Sequence, residues 1–154
     1  MKKLLLAALV AGVAFIAFRA FRGASGPYGA YVTFATHVAK TEFAEAAALA
    51  GNDEVRAQVG GLGSAAGPVP MDAFRGVRFT KLSETRLPSG EVELGVEELL
   101  GFDPPRATTA LGGALYARFE HTARLQKGAG GWRVTSFERA FRKVVEAREA
   151  REGR

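Results

Sequence analysis

The chain of 154 residues contains no cysteine. Disulfides, thiolate zinc sites, cysteine nucleophiles and a lipid-attachment cysteine are thereby excluded. Histidine is nearly as scarce. His37 and His121 are the only two, and no metal-ligand spacing accompanies them, so no metal site is expected. No Gly-x-Ser-x-Gly occurs, because Gly23-Ala24-Ser25-Gly26 runs into Pro27, which argues against a serine hydrolase. The body of the chain also lacks a basic excess. Residues 1–30 carry four bases and no acid, and residues 139–154 carry six bases against three acids, whereas 31–138 hold eleven bases against thirteen acids. A nucleic-acid-binding domain concentrates positive charge on its folded body to neutralise phosphates. The net charge of +5 therefore does not point to nucleic acid.

Material for one folded domain is present. Hydrophobic residues make up 47% of the chain and eleven Phe are available for a core, in a length too short for two ordinary domains. Met1-Lys2-Lys3 precedes an apolar run over residues 4–18, LLLAALVAGVAFIAF. A basic start followed by an apolar stretch marks a secretory signal or an uncleaved anchor. A span takes about 20 residues; with Arg19 snorkelling, Ala20 and Phe21 lengthen the run. Gly23-Ala24-Ser25 suits signal cleavage, but Arg19 and Arg22 separate it from the apolar run, and a cut at Gly12-Val13-Ala14 would fall inside that run. The reading is an uncleaved anchor over residues 1–26, touching the membrane from Leu4 to Phe21. It places a single-pass protein in the inner (cytoplasmic) membrane with residues 27–154 as one domain outside the cytoplasm. Lys2 and Lys3 face Arg19 and Arg22 across the span, so charge alone orients it weakly. Secretion after cleavage is the alternative.

Beyond the anchor, Ser25 or Gly26 can cap a helix with Pro27 at its first position. From Tyr28 to Ala50 there is no further proline and alanine is abundant, so one long helix is expected, stopped by Gly51. Asn52 can cap a short second helix with Asp53 and Glu54 at its dipole-favoured start. GGLGSAAGPVP at 60–70 reads as a flexible connection; it lacks the Lys-Ser/Thr ending of a phosphate-binding loop. After Phe74 the apolar period falls to two. One strand is expected from Val77 to Leu87. Val92, Leu94 and Val96 then alternate with Glu91, Glu93 and Glu97, a half-exposed antiparallel strand. The clearest strand covers 114–127, and Gly128-Ala129-Gly130-Gly131 turns the chain into Trp132 and Val134. Apolar positions 137, 141, 144 and 145 have helical spacing, and Thr135…Glu138 fits a capping box. The expected fold is α+β: a long helix packed on a four-stranded antiparallel curved sheet, with a C-terminal helix.

Thr41-Glu42-Phe43-Ala44-Glu45-Ala46-Ala47-Ala48-Leu49-Ala50-Gly51-Asn52-Asp53 resembles the end of the first helix in the nuclear-transport-factor-2-like (cystatin-like α+β) superfamily. Gly130-Gly131-Trp132-Arg133-Val134-Thr135-Ser136-Phe137 is similar to its closing strand. A second resemblance is to small membrane-anchored cytochrome oxidase assembly factors, through the anchor, Asn52-Asp53-Glu54-Val55-Arg56-Ala57-Gln58-Val59-Gly60, Gly113-Ala114-Leu115-Tyr116 and the Gly-Gly-Trp hairpin; Asp53 stands where their pattern has Pro. Both resemblances imply a helix-on-sheet domain.

Two functions compete. At 100° per residue Tyr31, Phe34 and Val38 form one stripe of the long helix with Glu42 inside it, while His121 takes an apolar-face position beside Phe119. If helix and sheet enclose a pocket lined by Tyr31, Phe34, Val38 and Phe119, Glu42 and His121 meet there. A desolvated carboxylate sharing a proton with His can take a proton from a small apolar ligand, as the isomerases and cyclases of the first family imply. The favoured reading is non-enzymatic: an anchored assembly, scaffold or partner-binding module without a cofactor, contacting a membrane-protein partner whose encounter the anchor promotes. A filled core with an exposed apolar patch favours contact, and an enclosed cavity favours the ligand.

Overall fold

The computed structural model describes residues 26–65, 74–102 and 115–146. Among these residues the fold is α+β, with three helices and a four-stranded antiparallel sheet. Helix α1, Pro27–Ala39, starts at an extended Gly26 with Pro27 at its first position, where a missing N–H costs nothing. Tyr31, Phe34, Ala35 and Val38 are its buried residues, an i, i+3, i+4, i+7 stripe.

The single helix expected over 28–50 is broken. Thr41 adopts a φ of 60°, and α2, Phe43–Ala48, begins two residues later. The break has a packing reason. A straight helix would rotate Phe43, Ala46 and Ala50 off the Tyr31 stripe; re-aimed after Thr41, Ala46 and Ala50 are buried and Phe43 packs against the same core. Helix α3, Asp53–Ala65, starts as expected at Asn52, whose Oδ1 accepts from the Val55 N–H at 2.9 Å. It runs through Gly60 and Gly61 to Ala65, so the first part of the connection expected at 60–70 is helix, and the rest of it lies outside the described residues. Val55 and Val59 are buried and Leu62 packs on them, and this helical spacing carries α3 across the glycines.

Strands β1 (Phe74–Arg86), β2 (Val92–Phe102), β3 (Leu115–Gly128) and β4 (Gly131–Glu146) form a meander in chain order. The expected C-terminal helix is absent from this range: residues 137–146 continue β4. Phe119 pairs with Phe141 but Arg118 pairs with Lys143, leaving Arg142 as an extra residue, a β-bulge. The step from 141 to 144 is thus one strand period plus a bulge, which imitates a helical period in the sequence. Thr135, expected to cap that helix, donates instead to Glu91 Oε1 at 2.7 Å.

The three helices bury their apolar side against one end of the sheet, on Val92, Leu94, Val96, Ala123, Leu125, Val134 and Phe137. Leu49 and Gly51 hydrogen-bond the backbone of Val134, and Ala50 bridges Val134 in parallel, so the α2–α3 connection lies along the outer edge of β4. Leu99, Val145 and Tyr116 form a smaller cluster. Phe141, Val144 and Leu82 are exposed. Among the described residues no helix is long and apolar enough to cross a membrane; the anchor expected over 1–26 falls almost wholly outside them.

Candidate functional site

A chain of four polar side chains crosses the core. In β2 the residues at 92, 94 and 96 face the helices, and the same parity brings Glu98 to that face, fully buried. His121 of β3 lies opposite Val96 and Arg139 of β4 opposite His121, while Phe119 lies opposite Glu98. The Arg139 guanidinium stacks 3.6 Å above the Phe119 ring and so reaches Glu98 across β3. There its Nε donates to Oε2 and its Nη2 to Oε1, both at 2.8 Å. His121 Nε2 is 2.7 Å from Glu98 Oε2, and His121 Nδ1 is 2.6 Å from the Tyr31 hydroxyl. Tyr31 and Phe79 close on the imidazole edge-to-face at 5.9 and 6.1 Å.

The electrostatics follow from this geometry. Burial alone would raise the Glu98 carboxyl, but hydrogen bonds from His121 and Arg139, together with the Arg139 charge, outweigh it and hold the group below its ordinary value. An ionised Glu98 takes the forked guanidinium and accepts the Nε2 proton of His121. Nδ1 is then an acceptor for the Tyr31 O–H. Burial and the Glu98 charge push the Tyr31 hydroxyl well above its ordinary range, against a smaller opposing pull from Arg139. Tyr31 thus stays protonated and remains the donor.

Of the residues singled out in the sequence, Tyr31, Phe34 and Val38 are buried in the core beside His121, and Phe119 supports Arg139. Glu42 does not join them. The break at Thr41 turns it outward, where its Oε2 lies 2.7 Å from His37 Nδ1 with its side chain 43% exposed. The expected Glu42–His121 pair is replaced by Glu98–His121. Sequence reading passed over Glu98 and Arg139, although the alternation that assigned Val92, Leu94 and Val96 to the apolar face also assigned Glu98 to it. Arg139 was masked by the helical reading of its segment.

Tyr31 and Phe34 have no accessible surface, so no cavity opens onto either ring. A cleft of about 540 Å³ lies elsewhere, lined by Glu54, Gln58, Glu93, Thr122, Arg124 and Glu138 among others; these polar walls offer little to an apolar ligand. Among the described residues no group of three His, Asp or Glu is placed to hold a metal. Comparison of the chain with protein-family models, with curated proteins and with solved structures finds no match.

Proposed function

We propose that this protein is a membrane-anchored, non-catalytic α+β domain that acts by contact, as an assembly, scaffold or partner-binding module for a membrane-protein partner. One observation carries the reading: the place where an apolar ligand would meet His121 is filled. Tyr31 and Phe34 are packed on all sides, and both imidazole nitrogens are engaged, by Tyr31 and Glu98. A general base needs a nitrogen within reach of its substrate, and His121 offers none. The chain of four instead ties α1 to three strands, a structural use of buried polar groups. The exposed Phe141 and Val144 agree with a protein that works through its surface.

The anchor over residues 1–26 belongs to this proposal, as does the placement of the domain outside the cytoplasm. The resemblances to the nuclear-transport-factor-2-like superfamily and to oxidase assembly factors both accommodate helices on one face of an antiparallel sheet. Affinity purification of the tagged full-length protein from gently solubilised membranes tests the reading. A stoichiometric membrane-protein partner is the expected result, and an oxidase subunit would favour the assembly-factor resemblance. Recovery of the protein alone, or with a bound small molecule, would overturn it.

A further inference from the structure

The outer edge of β4 is covered as far as Phe137 and open beyond it. The Val134 N–H donates to the Leu49 carbonyl at 3.1 Å, and the Gly51 N–H donates to the Val134 carbonyl at 2.7 Å. Asn52 Nδ2 then donates to the Thr135 carbonyl at 2.8 Å, and Gln58 Nε2 to that of Phe137 at 3.0 Å. There the cover ends. In an antiparallel ladder backbone groups point outward at every second residue, so Arg139 and Phe141 follow Phe137 in turning N–H and C=O away from β3. No backbone group among the described residues bonds to them on that side. Glu138, Ala140 and Phe141 are exposed, so this length of edge meets solvent. An open edge is a template for another strand.

Each face of the open stretch has its own chemistry. Phe141 lies on the face that carries the helices, with its ring centroid 5.6 Å from that of Phe119, yet it stays 58% exposed. Glu138 lies on the opposite face and lines the cleft described above. Glu54 and Gln58 of α3 wall that cleft on one side, and Glu93, Thr122, Arg124 and Glu138 of the sheet wall it on the other. Arg124 is paired with Glu93 at 3.0 Å. Neither Glu54 nor Glu138 meets a cation among the described residues, so the cleft beside the open edge carries unanswered negative charge.

We infer that an extended segment of the protein partner adds to the sheet along Phe137–Phe141 of β4, with a Lys or Arg in the acidic cleft and an apolar residue against Phe141. The inference rests on the contact reading above and specifies the chemistry of the partner. Side chains alternate along a strand, and 138 and 141 lie on opposite faces, so the two recognised residues stand three apart. Main-chain hydrogen bonds give such a strand its affinity and the side-chain sites its selectivity. A second copy fits less well. Its own β4, paired antiparallel over the same stretch, sets Arg139 against Arg139, like charges on one rung, and offers only Ala140 to Glu138.

The test takes the full-length protein in detergent and random twelve-residue peptides displayed on phage. Selected peptides are expected to carry Lys or Arg three residues from an aliphatic or aromatic residue. A synthetic copy of the strongest binder should slow hydrogen exchange at the Arg139 and Phe141 amides, and its Kd should rise about tenfold or more in Glu138→Lys. Phe141→Pro should abolish binding, because it removes an outward N–H and no bond to β3; Phe141→Ala, which keeps that N–H, should retain part of it. A cooperative urea transition shows that each variant is folded; if Phe141→Pro is not, exchange at the two amides of the native protein decides. A selection that yields no peptide, or peptides that bind folded Phe141→Pro as tightly as the native protein or leave both amides unprotected, overturns the inference. The contact reading survives that result if a membrane-protein partner co-purifies, and falls with it if the protein is recovered alone. Slow exchange at both amides without peptide, in protein that runs as a dimer, means that a second copy holds the edge, which also overturns the inference.

Discussion

Tyr31, His121, Glu98 and Arg139 admit one distribution of protons that satisfies the whole chain: a charged guanidinium, a carboxylate, an imidazole protonated at Nε2 and a phenol that donates. Tyr31→Phe removes the donor to Nδ1 and leaves a buried acceptor without a partner, so a loss of about 1–3 kcal/mol is expected, read from urea midpoints. Glu98→Gln should be costlier because it strips Arg139 of its counter-charge; removing one member of a buried pair costs about 3–5 kcal/mol, and the 25% exposure of the Arg139 side chain places the loss near the lower figure. The pH dependence has a definite sign. The folded-state pKa of Glu98 is depressed from 4.5, so the unfolded chain takes up this proton more readily than the folded one. The stabilisation is complete above about pH 4.5 and is lost as pH falls from there towards the folded value. Unfolding measured between neutral pH and pH 3 should show this acid limb in the native protein and a weaker one in Glu98→Gln. Half of this site was legible in the sequence. His121 and Tyr31 stood out on apolar stripes, but nothing local to Glu98 announces that a guanidinium two strands away will neutralise it.

Among the elements, α3 depends on one residue at its start. Asn52 Oδ1 caps the helix through Val55 N–H, while its Nδ2 donates to the Thr135 carbonyl at 2.8 Å, so a single amide both begins the helix and fixes it to β4. Asn52→Ala should cost about 2 kcal/mol, the upper end for a lost cap, because the β4 contact goes with it; Asn52→Asp, which keeps the cap alone, should recover part of the loss in thermal unfolding. The expected strands resemble the observed ones because alternation is a local property. The two misread elements failed where tertiary packing decides. Thr41 is an unfavourable residue for φ near 60°, and no breaker residue marks the turn. At the other end, the bulge at Arg142 depends on pairing with β3 and has no signature within β4 itself. Asn52 and Pro27 were legible because caps are chemistry between near neighbours.

The molecule as a whole has helices on one face of an open meander, and its described core closes without residues 1–25. A chain beginning at Gly26 is therefore expected to keep a single cooperative urea transition with a midpoint close to that of the full protein in detergent; a non-cooperative transition would place the boundary wrongly. α+β architecture was legible from the change of period after Phe74, and the alternation of Val92, Leu94 and Val96 with glutamates marked the face that the helices cover, whereas the long-range partners on that face were not legible. Joining Tyr31 to His121 spans 90 residues, and Leu49 to Gly51 must find Val134 on the last strand. The four strands, by contrast, meet only their neighbours in sequence. On the ribosome the helices emerge first and have nothing to close upon, since the surface that completes their core is translated last. Long-range closure of this kind is slow, so α1 waits with its apolar stripe uncovered until the final hairpin has left the exit tunnel.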